Sequence, residues 1–200
     1  MLNRLSIVVL LLLSSLAFAT EESDQATHNE LRALLAGIEQ AINNEKYDDL
    51  APFFHEKLRI TTINQEVISS PSEISSYFKK WFGPGGYLKK LHMKLAPDDL
   101  TELYGNNTFG IVRGSGNEDY ILSDGRKFDM KTRWTATVIK DSSGKWKILA
   151  LHIGTNFLDN PILAKAESSL MMFAGGGLAL GALIGGLVGF LAGRRKKSVA

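Results

Sequence analysis

The chain has 200 residues, 23 Lys and Arg against 21 Asp and Glu, and no cysteine, which excludes disulfides, thiol catalysis and cysteine-ligated metals. One basic residue, Arg4, lies near the N-terminus and four (Arg194, Arg195, Lys196 and Lys197) lie near the C-terminus. The stretch between therefore holds 23 − 5 = 18 basic residues against all 21 acidic ones, a balance near −3 that excludes nucleic acid as a partner.

Residues 1–19 read as a signal peptide. Arg4 and the amino terminus precede the apolar run Ile7 to Leu13, and Ala17-Phe18-Ala19 supplies a small-x-small cleavage site before Thr20. The run is short for a span of about 20 residues. An exported domain is expected over residues 20–157. It opens with a helix in which Leu31, Leu34, Leu35, Ile38 and Ile42 recur at helical spacing. A second short helix is expected over Tyr47 to Phe54. The third starts with Ser70 as N-cap, Pro71 at the first helical position and Glu73 closing a capping box. It carries Ile74, Tyr77, Phe78 and Trp81, and Gly83-Pro84-Gly85-Gly86 ends it.

From Tyr87 onward the pattern is that of strands: Leu88 to Leu95, Thr101 to Tyr104, Thr108 to Arg113, Asp119 to Leu122, Lys127 to Lys140 and Lys145 to Phe157. The segments Ser123-Asp124-Gly125-Arg126 and Asp141-Ser142-Ser143-Gly144 read as hairpin turns. Phe128, Met130, Thr132, Trp134, Ala136 and Val138 share one face of their strand. Trp146, Ile148, Ala150, His152, Gly154 and Asn156 share a face of the next, with Leu149, Leu151, Ile153 and Phe157 on the other. Apolar groups on both faces predict a sheet covered on both sides over part of its length. Three N-terminal helices followed by a curved, mainly antiparallel sheet make an α+β fold.

At this point the chain resembles the SnoaL-like branch of the nuclear transport factor 2-like superfamily. That cone-shaped fold is shared by ketosteroid isomerases, SnoaL-like polyketide cyclases and scytalone dehydratase. The stretch Trp146 to Pro161, WKILALHIGTNFLDNP, is similar to the last strand and exit of SnoaL-like proteins, and Arg133-Trp134-Thr135-Ala136-Thr137 fits the preceding strand. The resemblance covers Asn29 to Pro161. It implies a ligand pocket between the concave sheet and the helices, and in many members dimerisation through the outer sheet face.

Candidates to line that pocket are His55, Tyr120, Arg133, Trp134, His152 and Asn156, with His92, Arg113 and Asp119 as further polar groups. His152 is singled out as a possible acid/base or hydrogen-bond donor. A structural histidine is the blander reading, as is a surface ion pair between Arg133 and Asp129 or Asp119. Alignment with the isomerases places their carboxylate base, tyrosine and protonated acid near Thr62, Ile38 and Ala136, none of which has that chemistry. His28, His55, His92 and His152 lie too far apart to suggest a metal site, and no cofactor is implied. Asn106-Asn107-Thr108 is a formal glycosylation acceptor of no weight here.

Residues 158–169 read as a juxtamembrane linker, 170–193 as a transmembrane helix of about 36 Å, and 194–200 as a basic tail. The tail sets the polarity: domain outside and C-terminus in the cytoplasm, as in a single-pass protein of a bacterial inner membrane with a periplasmic domain. Gly177, Gly181, Gly185, Gly189 and Gly193 recur every four residues, a stripe that lets two helices approach closely. The sequence thus predicts a membrane-anchored domain that binds a small hydrophobic molecule or assembles proteins, without catalysis, as a homodimer or with a membrane-protein partner. The alternative is an isomerase, dehydratase or cyclase using His152.

Overall fold

The computed structural model describes the backbone of residues 4–197 and the side-chain surroundings of residues 24–190. The side chains of residues 1–19, where a signal peptide is expected, and of the basic tail, and the surroundings of Gly193, lie outside the described residues. Two compact units make up the chain, Met1–Asn156 and Phe157–Ala200.

The first unit opens with α1, Arg4–Asn43. Its buried face is formed by Thr27, Leu31, Ile38, Ala41 and Ile42, spaced at three, four and seven residues as one helix face demands. The C-terminal end of α1 also closes a sheet edge. The Asn43 carboxamide donates to the carbonyl of Met93 at 2.8 Å and accepts from its amide at 2.7 Å. One turn earlier, Glu39 accepts the Leu95 amide at 2.7 Å. Backbone groups on an edge strand that would otherwise face an empty side are thereby satisfied.

The expected second helix is not formed. Tyr47–Asp49 and Ala51–Phe53 are separate 3-10 turns, and Phe54 begins a strand. Pro52 lacks an amide hydrogen and cannot continue an i to i−4 ladder through this short stretch. The strand that follows is β1, Phe54–Thr61, with a short partner β2, Val67–Ile68. Neither was expected from sequence. The apolar positions of β1, Phe54, Leu58 and Ile60, do not alternate throughout, because a register shift between Phe54 and Arg59 absorbs the polar residues His55-Glu56-Lys57.

Helix α2, Pro71–Phe82, begins where its signal lies. Ser70 Oγ donates to Glu73 Oε1 at 2.9 Å, and the other carboxylate oxygen accepts the Ser69 amide at 3.0 Å, so Glu73 reaches one residue beyond the expected cap. The remaining strands are β3, Leu88–Pro97, β4, Glu102–Tyr104, β5, Phe109–Leu122, β6, Lys127–Lys140, and β7, Trp146–Thr155. They form one sheet in the order β2-β1-β7-β6-β5-β3, with β4 on β5. Every pairing is antiparallel except β1 with β7, so the sheet is mixed. Two α-helices, not three, precede the long strands of this unit among the described residues.

Both hairpin turns form as predicted, with Gly125 at φ +87 and Gly144 at φ +80, where a side chain would be strained. The two short strands expected at Thr108 to Arg113 and Asp119 to Leu122 are one, β5. Gly114 and Gly116, which resemble a turn in sequence, are extended because neighbours need their missing side chains. A Cβ on Gly114 would lie 2.2 Å from the Trp134 ring, and one on Gly116 would lie 2.5 Å from Thr132 Oγ1.

The face expected for β6 is observed, with Met130, Thr132, Trp134, Ala136 and Val138 all buried. That expected for β7 is not. Thr137 lies opposite Ala150 and Val138 opposite Ile148, leaving Leu149 as an extra residue. This bulge turns the alternation over. Trp146 and Ile148 face inward, but beyond them Leu151 faces inward beside Ala136 and Ile60, whereas His152 lies opposite Thr135 on the outer face. The two apolar faces read from β7 are one inner face interrupted by a bulge.

In the second unit, Asn160 accepts the amides of Ile162 and Leu163 at 3.1 and 2.9 Å. With Pro161 in the first turn it starts α3, Pro161–Lys197. Residues Pro161–Phe190 are long and apolar enough to cross a membrane, by length and composition. The helix thus takes in most of the expected linker.

Candidate functional site

Inner-face alternation along β5 places Gly114, Gly116, Glu118, Tyr120 and Leu122 toward the helices. Among these a carboxyl group is the exception that demands a partner. Glu118 is only 4% exposed. The Tyr120 hydroxyl donates to its Oε2 at 2.5 Å, and Thr132 Oγ1, across on β6, donates to its Oε1 at 2.8 Å. Thr132 has a second acceptor, the Gly116 carbonyl at 3.4 Å, so its proton can turn away from Glu118. Tyr120 is itself held by stacking on Phe128, with ring centroids 5.0 Å apart.

Burial raises the Glu118 pKa above the ordinary carboxyl value, outweighing the hydrogen bonds from Tyr120 and Thr132, which lower it. Burial, followed by the charge of Glu118 and the hydrogen bond to it, pushes the Tyr120 phenol up. From α2, Tyr77 approaches the same group. Its phenol is raised chiefly by burial, with added contributions from Glu66 and Glu118. The Tyr77 hydroxyl donates to Asn64 Oδ1 at 3.1 Å. Glu66 accepts from Trp81 Nε1 at 3.1 Å and pairs with Lys80 at 2.9 Å, so the β1–β2 turn is strapped to α2. A carboxyl that stays neutral to higher pH than a free one can donate a hydrogen bond or exchange a proton. Thr62, Ile38 and Ala136, the positions aligned with the isomerase groups, are buried as well, but the interior acid is at Glu118.

The structure separates the sequence candidates. Tyr120 is buried and bonded to Glu118. Trp134 is buried, its Nε1 donating to the Ser115 carbonyl at 3.0 Å. Arg133 is on the outer face, and its partner is neither Asp129 nor Asp119 but Asp98, at 2.8 Å from Nη1. Arg113 stands 4.0 Å from the same carboxylate. His92 and Asp119 lie opposite each other on the outer face. His152 is exposed there and does not meet the Glu118 cluster, because of the bulge at Leu149. Asn156 is exposed just past β7. His55 lines a separate surface hollow of about 260 Å³ with Phe54, Glu56, Asp141, Ser142 and Lys147, and its Nδ1 accepts the Lys57 amide at 3.1 Å. Among the described residues, no group of three His, Cys, Asp or Glu could hold a metal ion.

Glu118 escaped the sequence reading because Gly114-Ser115-Gly116-Asn117 divided its strand. The signal that was there is the two-residue alternation Gly116, Glu118, Tyr120, Leu122, in register with the clear inward face of β6.

No protein-family model matches the sequence, and no curated protein sequence matches it. Solved structures do match. A protein from Novosphingobium aromaticivorans assigned as a scytalone dehydratase is 12% identical with a TM-score of 0.59, over 68% of this chain and 89% of that one. A type 2 hexachlorocyclohexane dehydrochlorinase is 12% identical, TM-score 0.58, over 68% of this chain and 90% of that one. A ketosteroid isomerase-like protein from Erwinia carotovora atroseptica is 9% identical, TM-score 0.55, over 64% and 95%. The chain therefore has the fold of the nuclear transport factor 2-like superfamily, as the resemblance of its last two strands implies.

Proposed function

We propose that the chain is a single-pass membrane protein whose exported domain binds a small hydrophobic molecule, with the acid of Glu118 and the phenol of Tyr120 meeting a polar group on it. The observation that carries this reading is a carboxyl group buried on the inner sheet face whose hydrogen-bond partners among the described residues are Tyr120 and Thr132. A buried acid is costly to keep and adds little to a core that apolar side chains would fill. Proteins of the same fold with dehydratase, dehydrochlorinase and isomerase-like names support a small-molecule ligand. The leader at residues 1–19, the apolar α3 and the basic tail support export with the C-terminus in the cytoplasm, and the glycine stripe supports a homodimer in the membrane.

The second reading is an enzyme of isomerase, dehydratase or cyclase type. What favours it is the raised pKa of Glu118, which suits an acid/base group. His152, exposed on the outer face, is not positioned to share that role with it.

The test is native mass spectrometry of the full chain purified in detergent from its own host, beside Glu118→Gln and Tyr120→Phe. A bound small molecule in the wild type, depleted in both variants, supports the reading. A molecule retained equally by all three places the ligand elsewhere, and a chain that is empty from every preparation overturns small-molecule binding. Conversion of the released molecule by the wild type but not by Glu118→Gln selects the enzyme.

A further inference from the structure

The outer face of the sheet, which the ligand reading does not use, carries two features that coincide. The first is charge. Lys90, Lys94, Arg113, Lys127, Lys131 and Arg133 all project from it, in register across β3, β5 and β6: Lys94 opposite Asn117 opposite Lys131, and Lys90 opposite Ile121 opposite Lys127. The acidic groups among them are Asp119 and Asp129, Glu102 opposite Ile111 on β4, and Asp98 at the rim bound to Arg133 and close to Arg113. Six cations against four anions leave the face near 6 − 4 = +2, in an exported stretch whose own balance is near −3. The domain is therefore polarised. None of the four lysines is salt-bridged among the described residues, so their charge is not spent internally.

The second feature is apolar. At one end of the same face Tyr104 and Phe109 stack with centroids 5.3 Å apart. They are 42% and 37% exposed, and Ile111 beside them is 41% exposed. Amphipathic and aromatic side chains beside cations on one surface are the composition of a membrane-interface contact.

We propose that this outer face rests on anionic phospholipid head groups of the membrane that α3 crosses, with Lys90, Lys94, Lys127 and Lys131 on the phosphates and Tyr104 and Phe109 at the interface. The inference rests on the anchored reading of α3, whose first residue, Pro161, follows the last residue of β7, Thr155, with only five residues between them. A second copy is a poorer occupant, because two such faces brought together set one net-positive surface against another. Attraction to anionic lipid needs no partner chain and weakens with salt.

The experiment is lysine acetylation footprinting of the full chain in nanodiscs of phosphatidylcholine alone, and of phosphatidylcholine mixed with phosphatidylglycerol. The expected result is slowing of Lys94 and Lys131 acetylation by at least about threefold in the anionic discs relative to Lys79 on α2, reversed by about 0.5 M salt. Lys94→Glu with Lys131→Glu, folded by circular dichroism, loses the protection at Lys90 and Lys127. Equal reactivity in the two lipids overturns the inference while leaving the anchor intact. Protection that is equal in both lipids, indifferent to salt and present only in discs holding two chains also overturns it, in favour of a dimer. A chain that does not enter discs sinks the anchored reading, and the same footprint with phosphatidylglycerol vesicles added then decides the face by itself.

Discussion

Replacing Glu118 by Gln keeps the shape of the side chain and removes its proton equilibrium. In the native domain the carboxyl is 4% exposed, and removing a carboxylate from water costs several kcal/mol. The Tyr120 and Thr132 hydrogen bonds return about 1.5–3 kcal/mol each when the group is charged. Burial wins, since the folded pKa is raised above its ordinary value of 4.5. The sign follows. As pH rises through the unfolded pKa, the unfolded chain releases this proton first and the native domain still holds it. Stability therefore falls by about 1.4 kcal/mol per pH unit until the native group also ionises. Glu118 contributes its full stability below the unfolded pKa and has lost it above the folded one. Gln has no such slope, and its amide can accept from Tyr120 and donate to Thr132 while Thr132 turns to Gly116. Trp81, Trp134 and Trp146 all lie in the first unit, so intrinsic fluorescence of the full chain in detergent reports its melting. The exposed carboxylates titrate alike in both proteins and cancel. Glu118→Gln is expected to match the wild type near about pH 4 and to melt higher by roughly 3–6 °C near about pH 8, for each kcal/mol gained. Melting curves that stay parallel across this range, or a wild type that gains on the variant as pH rises, refute the reasoning.

Leu58 is 0% exposed in the core cluster beneath α1 and α2, and Leu58→Ala is expected to cost about 2–5 kcal/mol in urea unfolding with an unchanged slope. Asn43→Leu strips the Met93 amide and carbonyl of their partner on the β3 edge. It should cost about 1–3 kcal/mol and speed hydrogen exchange of the Met93 amide, whereas unchanged exchange there rejects the edge-capping role. A Cβ at Gly185 meets nothing within 4 Å, so Gly185→Leu leaves α3 itself intact. It is expected to weaken self-association in a membrane two-hybrid assay roughly tenfold, and an unchanged signal removes the glycine stripe from the account.

Elements bounded by local chemistry were legible. Ser70, Pro71 and Glu73 mark the start of α2, the two glycine turns bracket β6, and the long β6 alternation reads without error. What was illegible depends on residues distant in sequence. β1 pairs with β7 across more than eighty positions, and no local pattern announces it. The glycines of β5 resemble a turn until Trp134 and Thr132 are seen to occupy their vacant side-chain space. The buried acid was hidden by the same misreading, since a divided β5 has no inward face on which Glu118 can be found.

One unpaired residue keeps His152 away from the inner face that holds Glu118. Period-two reasoning along β7 is sound on either side of Leu149, but a single unpaired residue reverses every assignment beyond it. Without the bulge, His152 would stand on the Trp134 face as the alternation suggests. With it, Leu151 takes the inward position against Ala136 and Ile60, and the histidine joins Thr135 and Thr61 outside. Deleting Leu149 offers a direct check of that logic: Ile148 and Ala150 then become neighbours opposite Val138 and Thr137, so the ladder closes without a bulge, the β1–β7 pairing is kept and His152 stays outside opposite Thr135. The expected result is a folded domain whose His152 is as reactive to diethyl pyrocarbonate as before; a His152 that becomes protected in a folded variant denies that Leu149 is the unpaired residue.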